Sequence, residues 1–218
     1  MKRTWLILIG IAALIGGMIV VPPLSQLILF KLAVDRYPSA QELGPNNGRG
    51  LAEICAGCHG ITGNSINSRY PNLAGQPPAY LERQLNLFAS GERNSMTMGP
   101  LARSLSEDQI QRVSRYFSEQ ARIAPTLPEL ERANLQRANL LLNSCRACHG
   151  QHFEGGKVGG IAIPRLSGQG ALYLETQMRA FREGTRHSAL PTMNPLLRDL
   201  PAEDLTLASG YLSRYHAR

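Results

Sequence analysis

The hexapeptides CAGCHG at 55–60 and CRACHG at 145–150 contain all four cysteines of the 218-residue chain. Cys55 and Cys58, like Cys145 and Cys148, stand three apart, which on a helix puts both thiols on one face. The next residue, His59 or His149, reaches over that same face. Two thiols can then bond to one flat macrocycle while the imidazole coordinates its iron, the attachment signature of a c-type haem. A structural zinc site would also use C-x-x-C, but it needs two more ligands at matching spacing in each half. A thioredoxin-like redox pair belongs beside a βαβ pattern, and the chain reads as helix only. With no cysteine left over, a structural disulfide and a cysteine-ligated iron are both excluded. Two haem c groups are the expected cofactors.

The elements that must position these residues come in duplicate. PNLAGQPPAYLERQLNLFASGER (71–93) aligns with PRLSGQGALYLETQMRAFREGTR (164–186), and MGPLARSLSEDQI (98–110) aligns with MNPLLRDLPAEDL (193–205). Eleven identities recur in the first pair, among them Pro71/Pro164, Gln76/Gln169, Tyr80/Tyr173, Gln84/Gln177 and Arg93/Arg186. Each copy is expected to be all helix. A first helix runs into the cysteine motif. A second follows Pro71 or Pro164, with Pro near its start and Gly91 just past its end in the first copy. A third opens with the capping box SEDQ at Ser106 and carries Ile110, Val113 and Phe117 at helical spacing. The proline-bearing segment 121–130 reads as the linker.

Whether the iron can only exchange electrons or can also bind oxygen or peroxide depends on its sixth ligand. The candidates are Met96, Met98, Met193, His152 and His187. The duplication narrows them. Met98 and Met193 open a shared M-x-P-L-x-R-x-L, Met96 has no counterpart, and His152 and His187 align with Thr62 and Asn94. His59/Met98 and His149/Met193 are therefore the expected axial pairs, and Met96 is expected only to pack near the pocket.

The first 36 residues are of another kind. Lys2 and Arg3 precede a seventeen-residue uncharged run from Trp5 to Val21, then Pro22-Pro23 and LSQLILF. A cleaved secretory signal would share the basic start, but the run is long and no A-x-A-like site follows it. A retained helix able to cross roughly 30 Å of hydrocarbon fits better. Lys2 and Arg3 then keep the N terminus in the cytoplasm and place everything after the span outside.

The formal charge of +7 is scattered along the chain, which argues against a nucleic-acid surface. Aromatic content is only 6%, low for two small domains that must each bury a core, and a bound cofactor would supply the missing apolar bulk.

Each half resembles a class I cytochrome c domain, and the tandem resembles the dihaem cytochrome c4 family over about residues 44–217. The resemblance implies thioethers at Cys55/Cys58 and Cys145/Cys148, and iron ligation by His59/Met98 and His149/Met193. It also implies that the carbonyls of Pro71 and Pro164 accept the histidine Nδ1 protons. Tyr80/Tyr173, Gln84/Gln177, Arg93/Arg186 and Arg103/Arg198 are candidate haem-edge or propionate contacts, with helix packing or solvent exposure as the competing reading. A long N-terminal apolar segment departs from family members that carry a cleaved signal.

The expected architecture is all-α: a transmembrane helix within 1–36, then two tandem class I cytochrome c domains, 37–122 and 123–218. The expected function is single-electron relay, not catalysis, at the periplasmic face of a bacterial inner membrane. The expected partners are a quinol-oxidising complex and a terminal oxidase; the alternative is a dedicated cytochrome subunit of a membrane dehydrogenase. A dihaem peroxidase would need an open iron position, against which the matched methionines argue.

Overall fold

The computed structural model describes residues 48–123 and 130–215. The expected membrane segment, 1–36, the start of the first expected domain and positions 124–129 of the linker lie outside the described residues. Among the described residues no helix is long and apolar enough to cross a membrane. The described residues belong to one compact unit, within which each repeat has its own core.

In the first lobe α1 (Gly48–His59) carries the cysteine motif, followed by α2 (Pro78–Ser90), α3 (Met98–Arg103) and α4 (Glu107–Glu119). Pro78 stands at the start of α2, where its missing N–H costs nothing, and Gly91 ends the helix in the left-handed region at φ 82°. At α4 the Ser106 hydroxyl accepts from the Gln109 N–H while the Gln109 side chain accepts from the Ser106 N–H. This reciprocal cap satisfies two N–H groups that would otherwise lack partners. The buried face of α4 presents Ile110, Val113 and Phe117. With Ala52, Tyr80 and Leu81, Val113 and Phe117 build the first core.

The second lobe repeats the order as α5 (Arg132–Leu141), α6 (Arg146–His149), α7 (Ala171–Arg182), α8 (Met193–Arg198) and α9 (Ala202–Arg214). Its core joins Ala138, Leu142, Phe153, Leu174, Ala208, Tyr211 and Leu212.

Two expectations need correction. The helix leading into the second cysteine motif is not continuous. After Leu141 the bonding tightens, with Asn143 donating to Leu140 and Cys145 to Leu142, before α6 resumes. Asn143 and Ser144 fall at this break, residue types whose side chains compete with the helical backbone. Nor is the chain helix only. β1 (Gly156–Val158) and β2 (Ile161–Ile163) pair as an antiparallel hairpin. Gly159 and Gly160 make its turn with φ 55° and 79°, the positive pair that a two-residue hairpin turn requires. The hairpin uses the extra chain of the second lobe, where fifteen positions separate histidine and proline against twelve in the first. Its Ala162 packs into the first lobe's core, and Arg83 donates to the Ala162 carbonyl at 3.2 Å.

Candidate cofactor site

Cys55, Cys58 and His59 lie on the last turns of α1, and Cys145 immediately precedes α6, which carries Cys148 and His149. After each histidine the chain turns back at a glycine with positive φ, Gly60 at 79° and Gly150 at 87°. At Gly60 a Cβ would also run into the backbone of Asn64. The reversal carries the chain to Pro71 and Pro164. His59 donates its Nδ1–H to the Pro71 carbonyl at 2.8 Å, and His149 donates to the Pro164 carbonyl at 2.9 Å. Both rings are 6% exposed. Burial pushes both imidazoles below their ordinary pKa, against the opposing pull of the proline carbonyls. The rings are therefore neutral, and with Nδ1 committed, the Nε2 lone pair is left free to bind a metal. The four thiols are free of disulfides. Burial and the neighbouring Cys58 push the Cys55 thiol up to about 11, and burial likewise raises Cys145.

Met98 and Met193 each begin a six-residue helix, α3 and α8, with a proline at its third position. The Met98 N–H donates to the Ser95 hydroxyl at 3.1 Å. Both methionines line the same largely apolar cavity as His59, His149 and the four cysteines. Met96 does not pack near the pocket as expected: it is 95% exposed, because α3 begins two residues later and turns Met98 inward. His152 lies away from the cavity, exposed and bonded through Nδ1 to the Tyr215 hydroxyl at 3.0 Å. His187 is exposed yet borders the cavity, as does its counterpart Asn94.

The repeated polar residues separate into two groups. Arg103 and Arg198 are exposed. The other three pairs meet in one network between the lobes. Arg93 donates to Gln84 (2.8 Å) in its own lobe and to Tyr173 (3.1 Å) and Gln177 (2.7 Å) in the other. Arg186 mirrors it, bonding Gln177 (2.7 Å), Tyr80 (3.2 Å) and Gln84 (3.0 Å). Each guanidinium also stacks on its own lobe's phenylalanine, Arg93 on Phe88 at 4.4 Å and Arg186 on Phe181 at 4.6 Å. Burial alone would raise Tyr173, but the charges of Arg93 and Arg186 and the bond from Arg93 bring its phenol down to about 8. Tyr80 moves the opposite way, raised by burial and by Tyr173.

The residues present fit two haem c groups. Four free thiols and two neutral, oriented imidazoles border one apolar cavity with two thioethers. Two guanidiniums line it as well, Arg186 buried and Arg93 half-buried. Among the described residues their hydrogen bonds go to tyrosines and glutamines rather than carboxylates, and cations withdrawn from water call for anions such as the carboxylates of a haem.

Sequence reasoning singled out neither Asn72 nor a role for Gln76 and Gln169. The recurring A/S-G-Q tripeptide was the available signal. Both glutamines are 3% exposed and bond across the lobes.

A family pattern described as cytochrome c matches residues 46–120, the first lobe. Cytochrome c4 of Pseudomonas aeruginosa is 33% identical over 177 residues, covering 78% of this chain and 87% of the relative. The thiosulfate dehydrogenase electron acceptor of Thiomonas intermedia is 36% identical over 146 residues, covering 62% of this chain and 65% of that protein. Among solved structures, reduced recombinant cytochrome c4 from Pseudomonas stutzeri superposes with a TM-score of 0.68 at 28% identity, over 78% of this chain and 97% of that one.

Proposed function

The chain belongs to the cytochrome c4 family and is a dihaem c-type electron carrier; on that premise we propose that it relays single electrons at the periplasmic face of a bacterial inner membrane, held there by residues 1–36. Residues 37–122 and 123–218 each serve one haem. A haem bound there through imidazole and thioether ligands would supply one-electron chemistry at high potential, because a neutral, soft thioether favours the reduced metal. Cys55 and Cys58 attach the first haem, and Cys145 and Cys148 the second. His59 and His149 supply one ligand each, oriented by Pro71 and Pro164, and Met98 and Met193 supply the other. Arg93 and Arg186, at the boundary between the lobes, would pair with the haem carboxylates.

The observation that carries this reading is that both histidines, each neutral and locked by a proline carbonyl, border one cavity with Met98 and Met193. The near-infrared sulfur-to-iron charge-transfer band tests it. Met98→Ala should remove the first haem's share of the band and Met193→Ala the second's, while Met96→Ala leaves it whole. Survival of the full band in Met98→Ala refutes the assignment, and ready carbon monoxide binding by the unmodified protein would favour a haem enzyme.

Two donor systems fit such a carrier: a quinol-oxidising complex that feeds a terminal oxidase through this protein, and a dehydrogenase with this chain as its electron acceptor. The likeness to a thiosulfate dehydrogenase electron acceptor favours the second. Reduction of the purified protein by thiosulfate with its dehydrogenase, compared with reduction by quinol with a quinol-oxidising complex, separates them. For the anchor, deleting residues 1–36 behind a cleavable signal should release a soluble, haem-loaded protein. Native protein lacking its first 20 to 40 residues and washing off membranes with salt alone would overturn it.

A further inference from the structure

The carbonyl that orients each histidine belongs to a peptide group whose N–H is bonded from the opposite lobe. Pro71 C=O and Asn72 N–H are two ends of one trans peptide. The carbonyl accepts from His59 at 2.8 Å, and the N–H donates to Gln169 Oε1 at 2.7 Å. Gln169 Nε2 then donates back to the Asn72 carbonyl at 2.9 Å. The second lobe is arranged in the same way. Pro164 C=O accepts from His149 at 2.9 Å, the adjoining Arg165 N–H donates to Gln76 Oε1 at 3.0 Å, and Gln76 Nε2 donates to the Arg165 carbonyl at 2.9 Å. Each lobe thus lends one buried glutamine to the peptide that holds the other lobe's histidine. Gly75 and Gly168, at φ 65° and 64°, turn the chain just before each glutamine.

From this arrangement we infer that Gln169 and Gln76 are positioning residues acting across the lobes, Gln169 tuning the first haem through Asn72–Pro71–His59 and Gln76 tuning the second through Arg165–Pro164–His149. The inference rests on His59 and His149 being the ligating histidines. A peptide whose N–H donates becomes a better acceptor at its carbonyl, since hydrogen bonds in a chain polarise one another, and low surrounding dielectric strengthens the effect. A better acceptor at Nδ1–H makes the imidazole a stronger donor at Nε2. Stronger donation favours ferric iron, so each glutamine holds down the potential of the haem in the lobe opposite its own. The two lobes thereby become electronically linked through short peptide bridges.

The test uses full-length, haem-loaded Gln169→Leu, Gln169→Glu, Gln76→Leu and Gln76→Glu, with both haem potentials resolved by NMR-monitored redox titration. Gln169→Leu, which loses the acceptor, should raise the first haem's potential and shift its histidine Nδ1–H resonance, with a smaller change at the second. Gln169→Glu keeps an oxygen acceptor and should bring the first potential back to, or below, that of the unmodified protein. The Gln76 pair should act in the same way on the second haem. A larger effect on the glutamine's own lobe, equal effects on both, or shifts of the same sign from Leu and Glu overturn the inference. The same spectra keep the underlying assignment separate. Absence of ligated-histidine resonances in the unmodified protein refutes ligation by His59 and His149. Their presence with no shift in Gln169→Leu refutes the relay alone.

Discussion

The two lobes share a plan but fill their centres from different places. At the turn after the cysteine motif, Gly63 of the first lobe and Phe153 of the second occupy equivalent positions. The carbonyl of each accepts from the same pair of backbone N–H groups, Leu73 and Ala74 in one lobe, Leu166 and Ser167 in the other. On the last helix Phe117 corresponds to Leu212, each carbonyl accepting from the equivalent glycine, Gly75 or Gly168. The first lobe therefore takes its phenyl ring from the helix and keeps the turn empty, whereas the second takes it from the turn and shrinks the helix. The exchange is enforced sterically. A Cβ on Gly63 would stand 2.7 Å from the Phe117 ring and 2.9 Å from the Ala74 nitrogen. The second lobe accepts a non-glycine residue at φ 56°, a conformation costing of order 1–3 kcal/mol. Burial of the whole ring against Tyr211 and Tyr215 offsets that cost. Core volume is conserved as a sum, and the residue supplying it is free to change.

The largest expected effect tests whether the lobes mature separately. Cys145→Ala with Cys148→Ala should leave one covalently held haem, read by intact mass and haem-stained denaturing gels, and Cys55→Ala with Cys58→Ala should leave the other. Loss of both haems from either variant would show that neither lobe matures alone. Next comes the core exchange. Gly63→Phe alone should destabilise the first lobe by about 3 kcal/mol or more through overpacking and a strained backbone. Phe117→Leu alone should cost about 1–3 kcal/mol for the cavity it leaves. Combined, they rebuild the second lobe's arrangement, and chemical denaturation should reveal a favourable coupling of up to about 3 kcal/mol. Strict additivity would mean that the two positions do not share one space. The smallest effect lies at the boundary network. Difference absorption should find a phenol titrating near 8, absent in Tyr173→Phe and moved upward in Arg93→Gln, because the nearby cations favour the phenolate. An unchanged titration in Tyr173→Phe would assign it elsewhere.

The sequence alone carried what is local. Cysteines three apart with an adjoining histidine specify their chemistry within six residues, and the capping box at Ser106, the glycine after α2 and the spacing of Ile110, Val113 and Phe117 each act within a turn or two of helix. The hairpin also has a local signal, since a Gly-Gly pair between Val158 and Ile161 suits a two-residue turn, but the expectation of helix only, carried over from a first copy that has no such insertion, leaves it unread. Alignment of the repeats separated Met98 from Met96 and paired the three polar positions, yet it could not say that Arg93 reaches Tyr173 rather than Tyr80 alone. Only the tertiary structure decided that Gln169 bonds to Asn72, that Arg186 crosses to Gln84, and that Phe153 stands in for Phe117. Those contacts join residues far apart in the chain and depend on how two surfaces pack, and packing constrains summed volume and paired donors, which no periodicity along the sequence records.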